Sequence, residues 1–263
     1  MTTAELLKSI RSLVAYHQSC GIEHYRRSAA LDRGLQQLED VADKALSEDT
    51  KAATKLKRRL VEEPGNAPGA VSIAELAEEI TTCHLCTLCQ SRNVSTPGEG
   101  GLSPDLLVVG DWLVSSPEGS SESIFGEQQD QMLYRMIAAM ELQPSMVFVT
   151  NLIKCSVPET LKPDPSQIAS CLGYLKQQIA LLAPRAILTM GSAASQTLLG
   201  SSRPLIGLRG KFHQFRVGGG PILPLMPTFH PSYLLKNPEM KQPTWNDLQA
   251  VQKKLALPVK KRA

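Results

Sequence analysis

The chain has 263 residues with a net charge of +3, a pI near 8.5 and a hydrophobic fraction of 42%, enough for one sizeable core with an appended segment or for two small domains. No stretch approaches 18 consecutive apolar residues, and the opening MTTAELLKS lacks a basic start followed by an apolar run, so the expectation is a cytoplasmic protein without a membrane span or secretory signal. The mild positive charge permits an anionic partner such as nucleic acid, and six cysteines without a signal point away from a disulfide scaffold and toward metal.

Residues 4–60 are rich in Ala, Leu, Lys, Glu and Arg, with Leu6, Ile10, Leu13 and Val14, and then Leu31, Leu35, Leu38 and Val41, at helical spacing. Two or three helices are expected over residues 1–63. His17, Cys20 and His24 have no further ligand pair nearby and read as packing or surface residues, and the KLKRR run at residues 55–59 reads as a solvated face. The PGNAPG stretch at residues 64–69 predicts a linker over residues 64–71 and a domain boundary. Ser72 with Glu75 three residues later is a capping-box pattern that starts a helix over residues 73–82.

From residue 72 to residue 257 short apolar runs alternate with helical patterns, the signature of an α/β domain with a parallel sheet wrapped by helices. Strands are expected at residues 105–109, 146–149, 186–190 and 222–226, the last containing Pro224. Helices are expected at residues 128–140, 166–182, 193–199 and 245–255. Trp245, Leu248, Val251 and Leu255 form one core-facing stripe on the last of these. Residues 258–263 form a basic tail.

Two features carry chemistry. Thr150 and Asn151 fall at the C-terminal end of the second strand, where open α/β sheets keep their ligands. Cys83 and Cys86 form a C-x2-C pair followed by Cys89, while Cys155 follows the second strand and Cys171 lies 16 residues on in the next helix. Two separated thiolate pairs can hold a tetrahedral zinc ion or an iron-sulfur cluster, and spacing does not choose between them. The plain alternative keeps Cys155 and Cys171 as buried core residues.

Taken in order, Cys83-x2-Cys86-x-Leu88 with Arg92, PGEG at residues 97–100, TNLIKC at residues 150–155, Cys171, APRAILTMG ending at Gly191, LRGK at residues 208–211 and TFHPSYLL at residues 228–235 resemble the family 4, iron-sulfur uracil-DNA glycosylases. The resemblance covers residues 73–255 and leaves the N-terminal segment outside. It implies a three-layer α/β/α fold on a four-stranded parallel sheet. It also implies a [4Fe-4S] cluster on Cys83, Cys86, Cys155 and Cys171, with Cys89 at a position the family does not use as a ligand. DNA is the implied partner of a chain expected to be monomeric.

A glycosylase takes its base out of the stack, reads the Watson–Crick edge and stabilises the departing base. The resemblance gives Asn151 the base-reading role, for which a carboxamide that both donates and accepts is suited. His230 matches the donor to the charge developing on the leaving uracil, and Phe125 matches the aromatic that stacks on the base. Ser232 is expected against the DNA backbone, Leu234 as a wedge into the vacated stack, and Arg209 and Lys211 at phosphates. After Phe125, however, the family has small residues where this chain has Glu127, Gln128 and Asp130.

The first motif departs further. The family reads Gly-Glu-Ala-Pro-Gly, a tight loop near the sugar, whereas this chain reads GDWLVSSPE over residues 110–118. Gly110 and the acid Asp111 are kept, and Asp111 and Glu118 are the candidates for orienting water. Trp112, Leu113 and Val114 are too bulky for the same close backbone approach. Two functions fit this pattern: a glycosylase for uracil or a related deaminated base, and a non-enzymatic iron-sulfur DNA-binding or interaction protein that recruits a protein partner through its N-terminal segment.

Overall fold

The computed structural model describes residues 70–115 and 123–256. The expected helical extension, all of the linker except residues 70 and 71, Glu118 and the basic tail lie outside these residues. Helix α1 (Ile73–Thr81) begins at Ser72, whose hydroxyl accepts the Glu75 N–H at 3.2 Å. The Glu75 carboxylate reaches back to the Val71 N–H at 2.9 Å, one residue earlier than a reciprocal capping box would have it. In chain order there follow α2 (Leu88–Ser91), β1 (Glu99–Gly100), β2 (Leu106–Gly110), β3 (Val114–Ser115), α3 (Glu127–Ala139), β4 (Val147–Asn151) and β5 (Val157–Pro158). The second half adds α4 (Pro165–Leu182), β6 (Ala186–Met190), α5 (Ser192–Leu199), α6 (Leu205–Leu208), β7 (His213–Phe215), β8 (Leu223–Thr228), α7 (Pro231–Lys236) and α8 (Lys241–Ala256).

The main sheet has the order β1-β4-β2-β6-β8-β7. Its four inner strands pair in parallel, as expected, and are built from apolar runs buried on both faces. Alternate residues divide between two cores. Leu106, Val108, Val147 and Val149 pack with Leu133 and Ile137 of α3 and Leu248 and Val251 of α8. Leu107, Val109, Phe148 and Ile187 pack with Leu175 and Ile179 of α4 and Leu198 of α5. Helices thus cover both faces, which makes the three-layer arrangement.

The sheet is wider than four strands, because β1 and β7 add antiparallel edges on β4 and β8. Neither has an apolar run to mark it, one being two residues of a PGEG turn and the other His-Gln-Phe. Pro224 is accommodated because pairing of β8 with β6 begins only at Leu225. No helix among the described residues is long and apolar enough to cross a membrane.

The His-Pro-Ser-Tyr segment starts α7. His230 is the N-cap and Pro231 takes the first turn, where its missing N–H costs no helical hydrogen bond. This changes the place of Leu234. It is 1% exposed and packs against Leu205 and Phe229, so it cannot serve as a wedge into DNA without leaving the core. Leu234→Ala is expected to destabilise the fold by about 2–5 kcal/mol in urea unfolding. Leu235→Ala, on its partly exposed neighbour, should cost less than about 0.5 kcal/mol. Equal, small effects at both positions would contradict this placement.

Candidate active site

The parallel register brings the ends of the inner strands to one edge. Gly110 pairs with Asn151 on one side and Met190 on the other, and Met190 pairs with Thr228. Beyond that edge lies a cavity of about 1090 Å³ whose walls include Asp111, Trp112, Phe125, Gly126, His230 and Tyr233. It opens at the C-terminal ends of the inner strands, the usual position for ligands on such sheets, with Phe125 and Gly126 added from the start of α3 and Tyr233 from α7.

His230 is oriented by its own helix. Its Nδ1 accepts the backbone N–H of Ser232 at 3.2 Å and lies 2.7 Å from the Ser232 hydroxyl, so the ring proton resides on Nε2. Nε2 is buried and has no hydrogen-bond partner among the described residues. Burial pulls the imidazole pKa down to about 4. The ring is therefore neutral at physiological pH and presents an unused N–H.

Phe125 lies beside it, the ring centroids 4.8 Å apart and the planes inclined at 46°. Asn151 is fully buried, and its Nδ2 donates to the Ile124 carbonyl at 2.6 Å. Its Oδ1 has no partner among the described residues. Gly110 sits between these groups. A Cβ there would lie 2.3 Å from Phe125 Cε1 and 2.6 Å from Asn151 Oδ1, so only glycine fits. The structure thus brings Gly110, Phe125, Asn151 and His230 together, with Asn151 beneath the cavity wall.

Asp111 is anchored elsewhere than expected of a free water-orienting acid. Its Oδ1 accepts the Ala194 N–H at 2.7 Å, and the Ser192 and Ala193 amides also point to the carboxylate at the start of α5. Burial raises its pKa to about 6 against the opposing pull of these amides. Beyond it the first-motif segment does not form a tight loop. Ile153 N–H donates to Asp111 O, Val157 N–H donates to Leu113 O, and β3 pairs in parallel with β5. The bulky residues therefore make a small second sheet with the cysteine segment. Trp112 borders the cavity and packs against the apolar cluster of Ile153, Cys155 and Cys171.

Other expected DNA contacts divide. Lys211 is exposed and Ser232 borders the cavity. Arg209 instead forms a two-pronged ion pair with Asp247, Nε to Oδ2 at 3.0 Å and Nη2 to Oδ1 at 2.9 Å, donates to the Pro243 carbonyl and lies over the Phe229 ring. Asp247 also accepts the Thr228 hydroxyl at 2.7 Å. Arg209 is thus occupied in holding α8 to the strand that delivers His230.

Cys83, Cys86, Cys155 and Cys171 all have free thiols. Cys155 and Cys171 are buried in one apolar cluster against Cys86, and Cys83 interacts with the Tyr174 hydroxyl on α4. Burial raises the thiol pKa values of Cys86 and Cys155, and brings that of Cys171 to about 11, while Arg92 opposes the rise at Cys155 with Nη1 3.5 Å from its Sγ. Among the described residues no three His, Cys, Asp or Glu side chains converge closely enough to grip a single metal ion. Four thiols in mutual electrostatic contact, with a guanidinium beside them, fit a larger group held by four thiolates.

Lys154 was not singled out by spacing. It is buried, and its ammonium donates to Thr150 Oγ1 at 2.6 Å, Asn151 O at 2.7 Å and Gln178 Oε1 at 2.5 Å. Burial lowers its pKa to about 7. This side chain ties the end of β4 to α4, a link that only the folded chain reveals.

A parallel-stranded α/β/α domain with a buried carboxamide, a buried aromatic ring and an unpartnered imidazole N–H near its strand ends defines the class. Residues 97–249 match the uracil DNA glycosylase superfamily, and the chain belongs to that family. It is 30% identical over 190 residues to a type-4 uracil-DNA glycosylase of Saccharolobus solfataricus, covering 69% of this chain and 85% of the relative. It is likewise 30% identical over 182 residues to one of Pyrobaculum aerophilum, covering 68% and 92%, and 27% identical over 163 residues to one of Thermotoga maritima, covering 62% and 82%.

The His230 environment sets a pH expectation. Between its ordinary pKa of 6.5 and about 4, the unfolded chain binds a proton that the folded chain refuses, so this group's contribution to stability falls as pH drops through that window. NMR of the His230 imidazole should show a constant neutral signal from pH 8 to about 5. A midpoint between pH 6 and 7 would contradict the assigned burial.

Proposed function

We propose that the protein is a DNA glycosylase that releases uracil from DNA as the first step of base excision repair. The observation that carries this reading is the pair of buried, unpartnered atoms flanking Phe125, an acceptor on Asn151 Oδ1 and a donor on His230 Nε2. A flipped uracil offers the complement of both: an N3–H for the Asn151 oxygen and an O2 for the His230 N–H. Phe125 supplies an aromatic face for stacking.

Cleavage breaks the C1′–N1 bond, with the electron pair leaving on the base. The neutral His230 donates a hydrogen bond to O2, where negative charge grows in a site shielded from water. Asp111, ionised above about pH 6, borders the cavity as a fixed negative charge favourable to the cationic sugar. Water then adds to C1′ and its proton passes to solvent or to the departed base. The exposed Lys211 and the cavity-lining Ser232 would meet the DNA backbone.

Cys83, Cys86, Cys155 and Cys171 would hold a [4Fe-4S] cluster, which would supply a rigid four-point tie rather than an open coordination site. Cys155 immediately follows the Lys154 that holds the Asn151 carbonyl. The bulky first-motif residues are the feature that a catalytically divergent binding protein would account for. Their pairing with the cysteine segment provides a structural reason for them, and the glycosylase reading is preferred.

Incubation with a uracil-containing duplex oligonucleotide should produce alkali-labile abasic sites. His230→Ala should slow single-turnover release by about 100- to 1000-fold, the usual effect of removing a donor to a developing anion. Failure of the cluster-loaded wild-type protein to release uracil, or an unchanged rate in His230→Ala, would overturn the proposal.

A further inference from the structure

The acidic residue Asp130 stands where the resemblance would have a small one, and its surroundings give it a task. It lies in the first turn of α3, whose N-cap is Gly126 at φ +111° with no side-chain capping bond. The Asp130 carboxylate turns back over that turn. Its Oδ2 accepts the Ile124 N–H and its Oδ1 the Phe125 N–H, both at 2.9 Å, and the Ser123 side chain joins the same carboxylate. Asn151 grips the Ile124 carbonyl from the opposite side at 2.6 Å.

The Ile124 carbonyl and the Phe125 N–H belong to a single peptide unit. That plane is therefore held at both ends, its oxygen by Asn151 and its N–H by Asp130. A planar peptide fixed at both ends leaves little freedom in the direction of the Cα–Cβ bond that follows. The Phe125 ring lies against Gly110 and 4.8 Å from the His230 ring centroid. The carboxylate bonds are charge-assisted and shielded, and removing the acid would leave two amides without their acceptor.

We infer that Asp130 is a positioning residue for base recognition: with Asn151 it clamps the Ile124–Phe125 peptide and so fixes the aromatic face against which the flipped base stacks. This inference rests on the glycosylase reading for its substrate and names a residue that acts through Phe125 without touching the base. The clamp couples the residue that reads the base edge to the one that covers its face. Displacement of Asn151 would disturb both, and Asp130 is the only second anchor observed on that peptide among the described residues.

The test is a double-mutant cycle on uracil release under single-turnover conditions, with Asp130→Ala, Phe125→Ala and the double variant. Asp130→Ala should lower kcat/KM by about tenfold to a hundredfold, the scale of a small misplacement of a positioning group. In the Phe125→Ala background the same change should cost less than about threefold, because the group it positions is already gone. Asp130→Asn, which keeps one acceptor oxygen, should fall between wild type and Asp130→Ala. Amide hydrogen exchange gives a second readout independent of activity: the Ile124 and Phe125 amides should lose protection in Asp130→Ala while those of β2 and β4 keep theirs. Independent, multiplicative losses in the cycle, or unchanged protection at both amides, would overturn the inference. Absence of uracil release by the wild-type protein would overturn the glycosylase reading instead, and the exchange measurement would still decide the clamp.

Discussion

The parallel pairing that sets Gly110 directly opposite Asn151 governs the site. In parallel strands the register fixes which residues emerge together at the C-terminal edge, and here it joins a position without a side chain to one with a buried carboxamide. The missing Cβ at Gly110 makes room for the Phe125 ring edge and the Asn151 oxygen at the same point. One residue further in either strand would place these groups on opposite faces of the sheet.

Around that register the protein builds supports that bear no direct chemistry. Beneath Asn151, the buried Lys154 ammonium joins the strand end to Gln178 of α4, and Gln178 in turn holds the Pro97 carbonyl near β1. A buried cation with neutral acceptors alone is costly, and that burial is what lowers the Lys154 pKa to about 7. On the other flank, Arg209, Asp247 and Thr228 form a chain that secures the strand leading to His230. The two halves of the pocket are held by separate polar networks, and Phe125 meets both.

The inner strands were legible because each is an apolar run buried on two faces, and residues 186–190 were located to the residue. The place of Asn151 at a strand end was legible from the apolar run before it, whereas His230 was singled out only through the resemblance of its segment. The edge strands were not legible, because Glu99–Gly100 and His213–Phe215 owe their form to a neighbour rather than to their own composition. Leu234 was misplaced for a related reason. Pro231 at a helix start was the available signal, and reading it would have turned Leu234, one helical turn after His230, toward Leu205 and Phe229. Arg209 resembled a phosphate ligand until its partner 38 residues away came into contact. Asp130 and Lys154 have no motif of their own, since their roles depend on partners assembled by the tertiary fold.

Uracil recognition in this site requires one base to satisfy both unpartnered atoms. Its most direct test is a crystal structure of the protein with duplex DNA carrying a cleavage-resistant 2′-fluoro-2′-deoxyuridine. The flipped uracil should stack on Phe125, with N3 about 3 Å from Asn151 Oδ1 and O2 about 3 Å from His230 Nε2. A uracil seated elsewhere in the cavity, with both atoms still unpaired, would contradict it.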